Sequence, residues 1–483
     1  MSNVQNPALG SIGVPAFFAL PQLPSILVEW LALIPLVVHL TSALEDFKLI
    51  GEACLRGSIT TPLFPKLGQL KGIAKLLSTQ YHFVDQVAAR SAGAATAWDV
   101  SWGSVFQCAN ASARELITEA ALPQKVASIR IDVPFPPFLP PALNEQHSTT
   151  LAVEKQDSQD SISSTPSGTI SPHLPKTKTN GNFRRYQKLT IIDLRRTPES
   201  NSRKCNGVLT RLSTLMLYVA LCIVAALAAL TNSFGTAAII FLSCLTKTIC
   251  RFVPVTRPAG YLMNNENYQN GCMLAAGHEN ASSWTLYIGD RAIVDWLLNK
   301  PMLAINSNVC VWLVRYFSAA HYLHLLIMTY VAGQKGIDGL LLLSLMLFSE
   351  GCKIVFRWDY PVQEWLQKES ITCTSTVVEV SGRTPMLGAI QLLHGRVLNP
   401  LAASKHNSWM DSIIAPSPRV SAWHECLTRA AQGEDMNAFV ESLTGLSDFD
   451  MHWIKQNAHL SIATFGAITP LLQKQIQVGT LAV

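Results

Sequence analysis

An uncharged stretch of thirty-five residues is the feature that most constrains the fold of this chain. From Leu212 to Thr246 the sequence contains no Asp, Glu, Lys, Arg or His, and Arg211 and Lys247 bound it. A single membrane-spanning helix needs about 20 apolar residues, so the stretch fits two short helices better than one. Thr231 to Gly235 supplies turn residues at its middle. The sequence therefore predicts a transmembrane hairpin over residues 212–250.

A second hairpin is predicted over residues 305–357. Its first arm runs from Val309 to Val331 and its second from Ile337 to Phe356, with a Gly-rich turn between them. The basic residues near the outer ends of the arms can extend to the same membrane surface; they are Arg315, Lys353 and Arg357. Both hairpins are therefore expected to return to one side.

The composition fits a chain that lies partly in a membrane. Apolar residues make up 49% and charged residues only 14%, against about 25% charged in soluble domains. Ile26 to Leu44 is a candidate first span, although Glu29, Pro35 and His39 interrupt it, and a helix on the membrane surface is the alternative. With that span included, the predicted fold is mainly α: a polytopic α-helical membrane protein of about five spans.

The remaining segments differ in composition. Residues 133–211 are rich in Pro, Ser and Thr and end in basic residues, which predicts a disordered linker. Within it, Ile191 to Arg196 (IIDLRR) is a candidate transient strand or docking motif. The other predicted segments are an apolar N-terminus at 1–47, a cytosolic helical region at 48–132, a cytosolic loop at 251–304 and a cytosolic C-terminal region at 358–483.

The positive-inside rule orients the chain, because the basic end of the linker directly precedes the first hairpin. Its C-terminus is expected in the cytosol and its N-terminus outside, in the endoplasmic reticulum or another endomembrane. The sequons at Asn110 and Asn280 would then be unused. The expected partners are the lipid bilayer and other pathway proteins bound through the linker, and no nucleic acid is expected.

The first candidate site lies inside the second hairpin. His321 and Glu350 lie at about equal depth on opposite arms, and His324 follows His321 at the i, i+3 spacing of one helix face. Ionisable residues inside membrane spans are functional candidates. Three interpretations stay open: a structural hydrogen-bonded pair, a catalytic or proton-handling pair, and a metal site using His321 and His324.

The second candidate site lies in the 251–304 loop. His278 and Asp290 are candidate acid and base groups of a lid over a membrane pocket. The alternative is structural: Asp290 caps a helix in which Arg291 and Asp295 form an i, i+4 ion pair. The sequence does not choose between these two interpretations.

No motif in the chain identifies a reaction or a cofactor. The phosphate-binding loop, the serine-hydrolase elbow, the zinc-protease motif, the kinase motifs and the dinucleotide fingerprint are all absent from the sequence. The eleven cysteines occur singly, which favours reduced thiols over a disulfide framework. Whether the protein is an enzyme is left open by its sequence.

Two stretches carry a resemblance. Trp284 to Met302 (WTLYIGDRAIVDWLLNKPM) and Gly382 to Gly395 (GRTPMLGAIQLLHG) resemble multi-pass membrane proteins of unassigned function in filamentous fungi, some of them similar to members of secondary-metabolite gene clusters. The likeness covers the second half of the chain and carries over no catalytic residue. It implies an integral membrane accessory protein that serves a biosynthetic pathway. The alternatives are a membrane-embedded enzyme acting on an apolar small molecule and a small-molecule carrier.

Overall fold

The computed structural model describes most of the chain outside the linker. The described residues are 25–40, 45–66, 68–90, 94–122, 129–131, 185–197, 206–263, 270–306, 310–334, 337–356, 360–399, 408–434, 436–443 and 445–481. The helices are α1 Ser25–Leu40, α2 Glu45–Arg56, α3 Gln69–Thr79, α4 Tyr81–Arg90, α5 Ala111–Ala121, α6 Asn206–Leu230, α7 Phe234–Ile249, α8 Arg291–Leu298, α9 Val311–Gly333, α10 Asp338–Phe356, α11 Pro361–Lys368, α12 Arg383–Leu393, α13 Pro418–Gln432, α14 Met436–Ser442 and α15 Asp448–Leu481.

A mixed β-sheet organises the chain outside the apolar helices. The strands are β1 Thr96–Asp99, β2 Val105–Gln107, β3 Ile129–Ile131, β4 Tyr186–Arg196, β5 Val255–Thr256, β6 Asn270–Ala276, β7 Ser283–Asp290, β8 Ala304–Ile305 and β9 Ile371–Ser381. Seven of them form one sheet in the order β2-β1-β6-β7-β4-β9-β3, while β5 pairs with β8. Strand β4 runs parallel to β7 and antiparallel to β9. We call this sheet and the helices packed on it the sheet domain.

Each face of the sheet carries its own hydrophobic core, because successive strand residues point to opposite faces. On β4, Leu189 and Ile191 belong to one core, whereas Ile192 and Leu194 belong to the other. Helices α12, α13 and α15 cover the first face, and helices α2, α3, α5 and α8 cover the second. The central strands β4, β6 and β7 are therefore buried on both sides, in the middle of a three-layer structure, whereas the edge strands β2 and β3 are largely exposed.

Five further helices form what we call the apolar helical layer: α1, α6, α7, α9 and α10. They share a small core of their own, which includes Leu221, Ile239 and Leu342. The first part of α9, around Phe317, also belongs to a core of the sheet domain and so joins the two parts. The first hairpin returns to the sheet domain, because α7 leads through a short helical turn into β5, whose Val255 belongs to one of its cores.

The prediction of about five membrane spans is wrong. Among the described residues, one helix is long and apolar enough to cross a membrane, Phe234–Phe252, which comprises α7 and the turn after it. The apolar parts of α1 and α6, Glu29–Leu40 and Tyr218–Leu230, are shorter. Helix α1, with 16 residues, is also below the length of about 20 residues that a span requires.

The first predicted hairpin is present, and the second has a different packing. Helices α6 and α7 pack against each other on either side of a turn at 231–233. Helices α9 and α10 contact each other little, because α1 packs against both of them. The segment that was predicted as a weak first span is therefore the central helix between the arms of the second hairpin.

Two segments, one predicted as a disordered linker and the other as a cytosolic loop, supply central strands. The end of the predicted disordered linker forms β4, which lies between β7 and β9; the Pro-rich part at 133–143 and the Ser- and Thr-rich part up to 184 lie outside the described residues. The predicted cytosolic loop 251–304 contains β6, β7 and the buried helix α8. Burial of their apolar side chains on both faces explains why these segments fold as strands.

Candidate functional site

A cavity of about 360 Å³ lies where the apolar helical layer meets the sheet domain. We call it the boundary cavity. Helices α1 and α10 supply an apolar wall, which includes Ile34, Val38, Leu343, Met346 and Leu347. The polar lining residues are His39 and Glu350, on the same two helices, and Lys48, Glu52, Lys66 and Gln69 from the sheet domain. This combination of apolar and polar lining residues is typical of a site for an amphiphilic small molecule.

A second cavity adjoins the first and shares lining residues with it. It has a volume of about 570 Å³ and lies between α2, α5 and α11. Lys48 and Glu52 line both cavities, and Glu115 and Glu119 make the second one acidic. Burial and the neighbouring Glu119 raise the pKa of the Glu115 carboxyl. The boundary cavity thus has an apolar wall formed by α1 and α10 and adjoins an acidic groove.

Three histidines cluster beside the boundary cavity. His39, His321 and His324 are all buried and lie close enough to interact electrostatically. Nδ1 of His39 lies 2.9 Å from the carbonyl oxygen of Pro65, while its Nε2 is buried without a hydrogen-bond partner. His39 is therefore the histidine of this cluster that both lines the cavity and has unused hydrogen-bonding capacity. In the sequence, His39 stands out only as an interruption of an apolar segment, so its position at the cavity was not predicted.

The predicted pairing of His321 with Glu350 is not present. Glu350 lines the boundary cavity, but no hydrogen bond joins it to His321, since α1 separates their helices. The predicted metal pair is also occupied otherwise: Nδ1 of His324 lies 2.9 Å from the Ala320 carbonyl and Nε2 lies 3.4 Å from the Ser243 hydroxyl. In the part of the chain that the structure describes, no three His, Cys, Asp or Glu side chains are arranged to hold a metal ion.

His278 and Asp290 lie at opposite ends of strand β7 and do not form one site. His278 is exposed in the β6–β7 turn, where its Nδ1 accepts a hydrogen bond from the backbone of Asn280 at 3.1 Å. Asp290 caps α8 by accepting from Ala292 N at 2.9 Å, and it also pairs with Arg196. The predicted cap is therefore confirmed, and the lid interpretation is not supported.

The predicted ion pair between Arg291 and Asp295 is wrong, because both residues have other partners. Arg291 binds Asp99 through Nη2 and Oδ2 at 2.6 Å, and both side chains are buried. Asp295 binds Lys300 at 2.7 Å instead. Residues four apart on a helix can meet, but Arg291 points into the sheet domain, where the carboxylate of β1 is closer.

A buried polar cluster surrounds this Asp99–Arg291 pair. Asp99 accepts hydrogen bonds from the backbone of Ser101 at 2.9 Å and of Trp102 at 3.3 Å. The hydroxyl of Ser101 lies 3.0 Å from Nε2 of His394, which begins a π-helical turn after α12. Sequence reasoning could not have found this pair, because 293 residues separate its members and no motif contains either one.

The chemistry of the Ser101–His394 pair argues against a catalytic dyad. Burial, together with the positive charge of Arg291, lowers the pKa of His394 to about 4. A general base works best when its pKa is near the working pH. The pKa of His394 is far below neutral pH. Its Nδ1 is buried without a partner, so the acceptor that orients the imidazole in a catalytic triad is missing. The cluster is therefore best explained as a structural link between β1 and the C-terminal helices.

The shifted pKa of His394 predicts a pH dependence of stability. Because its folded-state pKa of about 4 lies below the ordinary value of 6.5, unfolding takes up a proton between these pH values. The stability that His394 contributes is present above pH 6.5 and is lost as the pH falls towards 4, by roughly 3 kcal/mol. We expect His394→Gln, which keeps a polar group near Nε2, to lose less stability than the native chain between pH 7 and 4.5. Denaturant unfolding at both pH values measures this, and equal losses in the two proteins would contradict the prediction.

The sequon at Asn110 lies in a buried position. Its side-chain amide donates to the carbonyls of Trp296 at 2.9 Å and Lys300, and its oxygen accepts from Met302 N at 3.1 Å. Asn110 thus holds the end of α8 against α5 and has a structural role in the folded chain. Asn280, in contrast, lies in an exposed turn.

Comparison of the chain with protein-family models, with curated proteins and with solved structures finds no match in any of the three.

Proposed function

We propose that this protein is an integral membrane accessory protein, held in lipid through helix α7 of its apolar helical layer and with its sheet domain at the cytosolic surface. The observation that carries the proposal is the exposed surface of that layer. Most of the large apolar side chains that the described part of the chain exposes lie on its five helices. Phe241, Phe348 and Ile354 are each about 70% exposed. An exposed apolar surface of this extent marks a membrane or protein interface.

Lipid fits this surface better than a protein partner does. The exposed apolar side chains are distributed over α1, α6, α7, α9 and α10. From Met216 to Thr246 and from Tyr316 to Gly333 the sequence contains no Asp, Glu, Lys or Arg, whereas protein interfaces carry a polar rim. Helix α7 with its following turn is long enough to cross a bilayer, and α6, α9 and α10 pack against it.

Membrane fractionation tests the proposal. We expect the full chain to pellet with membranes, to resist extraction by alkaline carbonate and to be released by detergent. Recovery in the supernatant without detergent would overturn the proposal. Orientation is read separately from Asn280, because a glycan at that exposed turn would place the sheet domain in the lumen instead of the cytosol.

A pair of lysine substitutions sharpens the test. Phe241→Lys places a charge on the exposed face of α7, where lysine in the middle of a membrane helix costs about 3 kcal/mol of insertion free energy. We expect the inserted fraction to fall. Phe449→Lys is the matched control, since Phe449 is 61% exposed at the start of α15 in the sheet domain. Equal behaviour of the two variants in the carbonate assay would argue against lipid contact at α7.

The boundary cavity favours one second function, a membrane-embedded enzyme that acts on an apolar small molecule. Glu350 and His39 line the cavity together and are its acid and base candidates. His39→Gln and Glu350→Gln test this role when the conversion of a bound small molecule and the protein level are followed together. Unchanged conversion at an unchanged protein level would end the enzymatic role.

Service in a secondary-metabolite pathway extends the first proposal and is supported by the resemblance of residues 284–302 and 382–395.

A further inference from the structure

We propose that the boundary cavity binds an uncharged alcohol of roughly a dozen heavy atoms, whose hydroxyl group donates a hydrogen bond to Nε2 of His39. The inference rests on the proposed function at one point, because α1 and α10 form both the apolar wall of the cavity and part of the surface assigned to lipid. It adds the chemical class of the ligand and the residue that recognises it.

The hydrogen-bond partners of His39 determine which group a ligand must offer. Nδ1 lies 2.9 Å from the carbonyl oxygen of Pro65. A carbonyl only accepts hydrogen bonds, so Nδ1 carries the ring proton, and Nε2 of the neutral ring is left as an acceptor. Nε2 is buried without a partner in a side chain that is only 3% exposed. A buried acceptor of this kind requires a donor, and a hydroxyl group supplies one.

The charges that line the cavity argue for a ligand without net charge. Lys48 and Lys66 contribute two positive charges, and Glu52 and Glu350 contribute two negative ones. The lining is therefore neutral in sum when His39 is neutral. A charged ligand would gain no net attraction from this lining and would lose its hydration on entering. An uncharged head group does not incur that loss.

The size and shape of the cavity determine the rest of the ligand. A volume of about 360 Å³ corresponds to roughly twelve heavy atoms when each takes the ~30 Å³ that a water molecule occupies in the liquid. Ile34, Val38, Met346 and Leu347 face this volume with aliphatic side chains. The ligand is therefore mainly hydrocarbon, with one hydroxyl group at the end near His39.

Two isosteric probes test the donor requirement directly. 1-Dodecanol offers a hydroxyl donor, whereas 1-methoxyundecane has the same number of heavy atoms and an ether oxygen that cannot donate. Binding of each probe is measured by competition with a fluorescent fatty alcohol on the purified full chain. We expect the alcohol to bind about tenfold more tightly, because the ether leaves Nε2 unpaired. Equal affinities, or no binding of either probe, would overturn the inference.

A substitution at His39 separates recognition from folding. His39→Asn keeps an N–H near the Pro65 carbonyl but removes the atom at the Nε2 position. We expect the tenfold preference for the alcohol to fall to about one, with the affinity for the ether unchanged. His82→Asn is the control, since His82 is exposed on α4 and the preference should remain. Retention of the preference in His39→Asn would contradict the assignment of Nε2.

The outcomes for the ligand and for the membrane are distinguishable. The binding measurement uses the purified chain, whether detergent extracts or the supernatant supply it. A chain that stays in the supernatant but prefers the alcohol would overturn the proposed function and leave the ligand site standing. A chain that pellets but binds both probes equally would do the reverse. Where His39→Asn fails to fold, the comparison of the two probes on the native chain still decides.

Discussion

Replacing Arg291 with Met is expected to destabilise the sheet domain by about 3 to 5 kcal/mol, the range for removing one partner of a buried ion pair. Arg291 and Asp99 are joined by two hydrogen bonds, of 2.6 Å and 3.2 Å. Asp99 is only 2% exposed, so its carboxylate cannot turn to water when the guanidinium is removed. The buried charge of Asp99 is then uncompensated. This explains why the expected loss of stability exceeds the net contribution of the ion pair itself.

A control and a double variant isolate this effect. Arg429→Met removes the same chemical group from an ion pair with Glu425, in which both side chains are exposed, by 42% and 54%, so a loss below about 1 kcal/mol is expected. Asp99→Asn combined with Arg291→Met removes the uncompensated carboxylate charge and retains an oxygen that accepts from the backbone N–H of Ser101. The double variant should therefore recover much of the lost stability. Denaturant unfolding measures all three variants, and equal losses for Arg291→Met and Arg429→Met would contradict the prediction.

The apolar helices are the part of the fold that the sequence predicts best. The uncharged stretch from Leu212 and the turn residues near Asn232 give the α6–α7 hairpin, because side-chain hydrophobicity and turn chemistry are local properties. The number of spans was overestimated because an apolar run shows that a helix is buried or in lipid, but not which. Helix α9 illustrates this: Leu313 and Phe317 lie in a core of the sheet domain, whereas Leu326 is exposed.

The sheet could be predicted only in part. The β-branched residues from Ile371 to Val380 are typical of a strand, and β9 forms there, from Ile371 to Ser381. Strand β4 was predicted only as a transient strand in a disordered linker, because its stability comes from neighbours elsewhere in the chain. Its partners β7 and β9 begin at Ser283 and Ile371. Pairings across such separations leave no signal in a single sequence.

The candidate site shows the same limit. Glu350 was found because an ionisable residue in an apolar helix is conspicuous. Its neighbour across the cavity, His39, was assigned to a separate span, since nothing local indicates that α1 packs between α9 and α10. The sequence thus predicts which side chains are unusual, and the packing of the helices determines which of them meet.

The second large expected effect concerns Asp338, which joins the tips of the two hairpins. Its carboxylate accepts from the backbone N–H of Gly235 at 2.9 Å and of Thr236 at 2.8 Å, and it also bonds the Thr236 hydroxyl. These are the first N–H groups of α7, where the helix dipole favours a negative charge. Asp338→Ala would leave them buried without an acceptor, so we expect a loss of about 3 kcal/mol.

Graded substitutions distinguish charge from hydrogen bonding at this contact. Asp338→Asn keeps one acceptor oxygen but removes the charge, so its loss should lie between that of the Ala variant and zero. Ser344→Ala on the same helix is the control, because its exposed hydroxyl bonds only the Leu340 carbonyl within α10. Thermal unfolding of the purified chain in one detergent ranks the variants. The expected order of stability is native and Ser344→Ala together, then Asp338→Asn, then Asp338→Ala. A melting temperature for Asp338→Ala equal to that of the control would show that the hairpin tips hold together without this carboxylate.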